Sequence, residues 1–190
     1  DMLQLALSIT KKVTLRHDYM PHDFTIYLYK WTMNILMRVD AYPHIALGHL
    51  NRCLNLGSSL EEYGHNVTFI CYDDSATQKI LSKSPFEYKL IPFKINEKQN
   101  KYEEFSELEA LADSSDLLLV DSYNVDKGYF EFLNNHFPIV GYLDDLGLDF
   151  DVDLVINPSC NVTDNDYMAK NILCGLQYVI LGDDYRVGRI

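Results

Sequence analysis

From Met33 onward, short apolar runs alternate with longer stretches in which apolar residues recur every three or four positions. The short runs are Ile35–Val39, Val67–Cys71, Tyr88–Ile91, Leu117–Val120, Ile139–Leu143, Leu154–Ile156 and Tyr178–Leu181. Several are apolar on consecutive residues, the pattern of strands covered on both faces. After the first run, Leu50, Cys53, Leu54 and Gly57 fall at i, i+3, i+4 and i+7, and Leu60 continues the stripe, which predicts a helix. Tyr102–Ala112 and Lys127–Asn135 read the same way, with Asp126 placed to cap the second. Strand–helix alternation implies right-handed crossovers, hence an α/β, doubly wound, mostly parallel, Rossmann-like sheet.

Residues 1–32 break this pattern. The stretch "VTLRHDYMPHDFTIYLYKW" is aromatic and histidine-rich, with a strand-like Thr25–Tyr29, and reads as a hairpin, an extension or the tail of a preceding segment. A boundary near Thr32 separates it from a domain spanning 33–190. "KINEKQNKYEE" reads as a solvated charged loop leading into a helix, and Asp149, Asp151 and Asp153 as a solvated strand face without the glycine of a calcium loop.

Composition narrows the function classes. A 190-residue chain that is 47% hydrophobic can bury one real core. Its formal net charge of -12 argues against nucleic acid and against anionic membrane surfaces as partners. The four cysteines are far apart with no CxxC pair, which argues against zinc and a disulfide framework and fits a reduced cytoplasm. No apolar run approaches the about 18 residues of a membrane span, and the first residues lack the order of a secretory signal. With no GxGxxG and no Walker loop, the sequence gives no support for dinucleotide or ATP chemistry; no cofactor and no metal are expected.

Open parallel sheets bind ligands at the carboxyl ends of their strands. Four loops follow strands there: Asp40–His49, Asp121–Asp126, Asp144–Leu148 and Asn157–Asn161. His49 stands where the first strand hands over to a helix. The dipole there favours anions and lowers a histidine's pKa, so a neutral imidazole can serve as a general base, or the residue simply packs in the first turn. Gly48 before it gives a ligand room to approach the backbone. Arg38 and Asp40 share one face of a strand end, as a structural pair or as ligand contacts. Asp121 and Tyr123 emerge after "LLLV". Asp144 and Asp145 follow "IVGYL", placed to tune a base, bind a sugar hydroxyl or cap the next segment. His17, His22, His44, His65 and His136 show no partner pattern and read as surface or packing residues.

The motifs "RVDA", "IALGHLNRCLNL", "LLLVDSYNVD", "GYLDD", "DLVINPS" and "CGLQYVIL" occur in the order of a known family. Over Met33 to about Tyr185 the chain resembles the amino-terminal half of the UDP-sugar hydrolases of the pseudaminic acid pathway, which act on a UDP-linked diacetamido-trideoxy-altropyranose, and the related spore-coat polysaccharide proteins. The resemblance implies the amino-terminal domain of a glycosyltransferase B (GT-B) type fold, with a second, carboxyl-terminal domain holding most of the nucleotide. On that basis this chain alone is expected to hold UDP weakly and to turn over little. It further implies that His49 is the base toward water, which attacks the anomeric carbon and expels UDP with inversion. Arg38, Asp40, Tyr123 and Asn157 fall at the family's motif positions around the sugar. The chain departs from the family at Tyr42 and Ala46, which crowd the loop beside His49, and at Gly182, where an arginine often stands. Two alternatives are a GT-B type sugar transferase, which calls for exposed apolar or basic residues beside the ligand edge, and a non-catalytic domain of a fused polysaccharide-biosynthesis protein.

Overall fold

The computed structural model describes residues 8–9, 32–42, 47–92 and 104–182. Among them seven strands form one sheet: β1 (Asn34–Val39), β2 (Asn66–Tyr72), β3 (Glu87–Ile91), β4 (Leu117–Asp121), β5 (Val140–Leu143), β6 (Leu154–Asn157) and β7 (Asn171–Cys174). Their order is β3-β2-β1-β4-β5-β6-β7, and every neighbouring pair is parallel. The helices are α1 (Gly48–Glu62), α2 (Ser75–Leu81), α3 (Phe105–Ala112) and α4 (Lys127–His136).

The consecutive apolar residues of β1 and β4 are explained by two separate cores. Ile35, Met37 and Val39 of β1 and Leu117 and Leu119 of β4 pack against Leu50, Cys53, Leu56 and Leu60 of α1. Leu36 of β1 and Leu118 and Val120 of β4 face the other way, against Leu108 of α3 and Tyr129, Phe130 and Leu133 of α4. Since α1 leaves β1 toward one face and α4 leaves β4 toward the other, the crevice between the carboxyl ends of these adjacent strands is a topological switch point. The α/β doubly wound reading is thus what the structure shows. Ile9, from the segment before Met33, is fully buried in the α1-side core, whereas the strand-like Thr25–Tyr29 lies outside the described residues.

Local signals set the element ends. The Asp126 carboxylate accepts from Tyr129 N–H and caps α4, as its position predicts. At the end of α1, Gly64 takes φ 86° while its N–H reaches Glu61 O and His65 N–H reaches Leu60 O. A left-handed residue there turns the chain straight into β2.

The last strand departs from expectation. Tyr178–Leu181 is not a strand: Leu176–Tyr178 is a 3₁₀ turn, and Tyr178 and Ile180 pack against the α1-side core as irregular chain. The edge strand is instead Asn171–Cys174, whose ladder to β6 runs from Leu154↔Asn171 to Asn157↔Cys174. Its apolar run, Ile172-Leu173-Cys174, is shorter than Tyr178–Leu181, and pairing with β6 makes it the strand. The acidic run also differs: Asp153 is buried and accepts from Val140 N–H and Lys170 Nζ, and Asp149 accepts from Met168 N–H. These carboxylates tie a helix-free crossover to the sheet.

A Cβ at Gly141 of β5 would lie 2.5 Å from Leu119 Cδ2, so the buried Leu119 side chain would have to shift. Gly141→Ala should destabilise the fold by about 1–3 kcal/mol, the usual cost of overpacking a core. Denaturant midpoints of the two proteins measure this; equal midpoints would show that Leu119 moves aside freely.

Candidate functional site

His49 is the second residue of α1, and no side chain caps that helix end. Asp121 is the last residue of β4, with its side chain on the α1 face, as the alternation along that strand dictates. The two meet across the switch point: Nδ1 of His49 lies 2.8 Å from Oδ1 of Asp121 and 3.5 Å from its carbonyl oxygen. Nδ1 therefore carries the hydrogen, and Nε2 has no partner among the described residues. The Tyr123 ring stands edge-on to the imidazole, with centroids 4.4 Å apart.

Asp121 has further donors. Arg52 gives it a bidentate fork, Nε to Oδ2 and Nη2 to Oδ1, each at 2.6 Å, and the Cys53 thiol donates to Oδ2 at 3.2 Å. The third nitrogen of Arg52 reaches Asp145 at 3.1 Å, and the Tyr123 hydroxyl donates to the same Asp145 oxygen at 2.9 Å. Tyr123 is 43% exposed, so this cluster opens to solvent on the side of Tyr123 and Asp145. Arg52 had no place among the expected site residues, although its signal is in the sequence: it follows His49 by three positions, on the same helical face.

The electrostatics reverse one expectation. Burial works against the charged imidazole, but the hydrogen bond and charge of Asp121 outweigh burial and the nearby Arg52, and the His49 pKa is raised above 6.5. The carboxylate at 2.8 Å thus overrides the helix dipole. For Asp121, burial pushes the carboxyl up, yet the hydrogen bonds from Arg52 and His49 bring it below its ordinary 3.8. Burial and Asp145 hold the Tyr123 hydroxyl protonated.

Arg38 and Asp40 occupy the opposite sheet face. The Arg38 guanidinium is 1% exposed, forks onto Glu104 at 2.8 and 2.9 Å, reaches Asp40 at 3.0 Å and lies over the Tyr72 ring. Tyr129 donates its hydroxyl to Glu104 as well. Glu104 closes the stretch read as a solvated loop, yet it is the buried counter-ion of Arg38; the rest of that stretch lies outside the described residues. Asp40 reaches the site through its backbone and through Ser122. Its N–H donates to Asp121 O, and its Oδ2 accepts from the Ser122 hydroxyl, whose oxygen in turn accepts Asn124 N–H.

The remaining expected residues divide in the same way. Gly48 is exposed, with open space around it. Asp144 is fully buried and accepts from Leu146 and Leu148 N–H, the Tyr167 hydroxyl and Asn157 Nδ2, so it fixes a loop, and Asn157 is buried with it. The cluster at the switch point is therefore the buried His49 and Asp121 with the more exposed Arg52, Asp145 and Tyr123, while Arg38, Asp40, Asp144 and Asn157 lie beneath it. Tyr42 is half-buried, and Ala46 is outside the described residues. His65 packs at the opposite end of β1, where its Nδ1 accepts Met33 N–H; His136 is half-buried at the end of α4, and His17, His22 and His44 are outside the described residues.

Comparison with protein-family models gives no match, nor does comparison with curated proteins. The functional reading rests on the motifs and on this geometry.

Because its folded pKa is raised, His49 contributes stability fully below pH 6.5 and loses it as pH rises through the raised value. Asp121→Asn should lower the His49 midpoint seen by NMR titration; an unmoved midpoint in the folded variant would contradict the pairing. Glu104→Ala, which strips Arg38 of its fork, should cost about 3–5 kcal/mol by chemical denaturation, as removal of one partner of a buried ion pair does.

Proposed function

We propose that this chain is the base-bearing half of a UDP-sugar hydrolase of nonulosonic (pseudaminic) acid synthesis, acting on a UDP-linked diacetamido-trideoxy hexose. The observation that carries the reading is the 2.8 Å contact between His49 Nδ1 and Asp121, which leaves Nε2 for a water. Three inputs are needed: a proton acceptor, a group that orients it, and a place for the sugar. Asp121 supports the positive charge that develops on His49 as water gives up its proton. The diphosphate is already a good leaving group, so orientation and a base supply most of the catalysis. Tyr123 and Asp145 are the half-exposed polar groups available to sugar hydroxyl or acetamido groups. Arg38, Asp40 and Asn157 act from below, as supports of the loops that carry the site. The nucleotide falls to a second, carboxyl-terminal domain, and the setting is the cytoplasm.

One observation favours the transferase alternative. Leu146, Leu148 and Leu176 are exposed on loops at the carboxyl edge, as a membrane-docking transferase would require. Those loops, 144–148 and 175–182, contain no lysine or arginine to accompany them onto an anionic surface. No helix among the described residues is long and apolar enough to cross a membrane.

His49→Asn, in a chain carrying the second domain, should lower turnover by about 10²–10⁴-fold, the usual contribution of a general base. Substrate binding should change far less. UDP release at saturating UDP-sugar is the measurement, and an unchanged turnover number in the folded variant would rule out the mechanism. Release that requires an added lipid-linked acceptor would favour the transferase.

A further inference from the structure

Five residues at the switch point form a closed circuit. His49 bonds Asp121, Asp121 takes the fork of Arg52, Arg52 reaches Asp145, Asp145 accepts the Tyr123 hydroxyl, and the Tyr123 ring returns edge-on to His49. Oδ1 of Asp121 is shared, accepting from Arg52 at 2.6 Å while His49 stands 2.8 Å away. We infer that Arg52 is a positioning residue for His49: its guanidinium divides Asp121 between two cations, holds Asp145 and Tyr123 in place, and keeps the imidazole turned with Nε2 toward the open edge. Its effect on turnover rests on the hydrolase reading; the division of the carboxylate does not.

The charge balance gives the inference its direction. The groups facing His49 are Arg52 and Cys53 from its own helix, Asp121 and Tyr123 from the end of β4, and Asp145 beyond Arg52 from the loop after β5. Across the sheet, Arg38 is shared between Asp40 and Glu104, and that singly negative cluster is the same in every variant below. The Cys53 thiol is buried and stays protonated, as does Tyr123. With His49 neutral, Arg52 faces two carboxylates and the circuit is singly negative; a proton on His49 neutralises it. Removing Arg52 leaves two uncompensated carboxylates beside the imidazole and frees Asp121 to hold it more tightly. The base would then remain protonated into the range where it is needed. Removing Asp145 has the opposite sign.

The test is an NMR titration of His49 in the intact chain, beside the pH profile of kcat/KM for UDP release in the two-domain chain. Arg52→Gln should raise the His49 midpoint and move the acid limb upward by about one pH unit, which is a roughly tenfold loss of activity at a fixed pH on that limb. Arg52→Lys returns the charge without the fork and should bring the midpoint most of the way back. Asp145→Asn, an isosteric change at a half-exposed position, should lower the midpoint and keep the test decisive should Arg52→Gln not fold. A midpoint unmoved in folded Arg52→Gln, or one that does not fall in Asp145→Asn, would overturn the inference. Midpoints that move as stated in a protein that releases no UDP would remove the hydrolase reading and leave the inference standing.

Discussion

The carboxylate of Asp121 is the group on which the carboxyl edge of this sheet depends. It is almost completely buried, at the end of a central strand where water cannot solvate it. A bare charge there would cost several kcal/mol, so partners must converge on it. They come from α1: the two-nitrogen fork of Arg52, the imidazole of His49 and the thiol of Cys53. In meeting the need of one buried carboxylate, the helix fixes the rotation that places His49 at the crevice. The catalytic geometry proposed for His49 and the electrostatic cost of Asp121 are one constraint.

A second buried ion cluster works on the other sheet face, and the two communicate through backbone. Arg38 is shared between Asp40 and Glu104 under α3, a singly negative cluster that Tyr72 and Tyr129 close. Asp40 N–H donates to Asp121 O, and Asp40 also holds Ser122, the residue just before Tyr123. The ends of β1 and β4 are therefore pinned on both faces at once. That rigidity matters for a base, because a proton acceptor is useful only where its nitrogen stays within reach of the reacting water.

The chain carries an overall charge of -12, but the candidate site itself is not strongly acidic. Arg52 offsets one of the Asp121 and Asp145 charges, a proton on His49 offsets the other, and α1 directs its positive end to the same crevice. The cations of the site are engaged with internal carboxylates.

Much of this was legible in the sequence. Consecutive apolar runs separated by helical stripes determined the doubly wound parallel sheet, because burial on both faces leaves no alternation to disguise. The position of His49 at the strand–helix junction and the capping of α4 by Asp126 were equally local, and local signals survive in sequence. Partnership was not local. Asp121 meets His49 and Arg52 from 72 and 69 residues away, and Glu104 meets Arg38 from 66. No spacing along the chain distinguishes a carboxylate that will face water from one that will be walled in by a strand and a helix. The sign of the His49 pKa shift turned on that difference, as did the place of Arg52 and the burial of Glu104. The strand at Asn171–Cys174 shows a short apolar run, and only its pairing with β6 distinguished it from the neighbouring Tyr178–Leu181. The order of apolar residues thus determined the fold, and the folding together of distant charges decided what the residues at its edge can do, because electrostatic partnership depends on distance and burial, which exist only in the assembled structure.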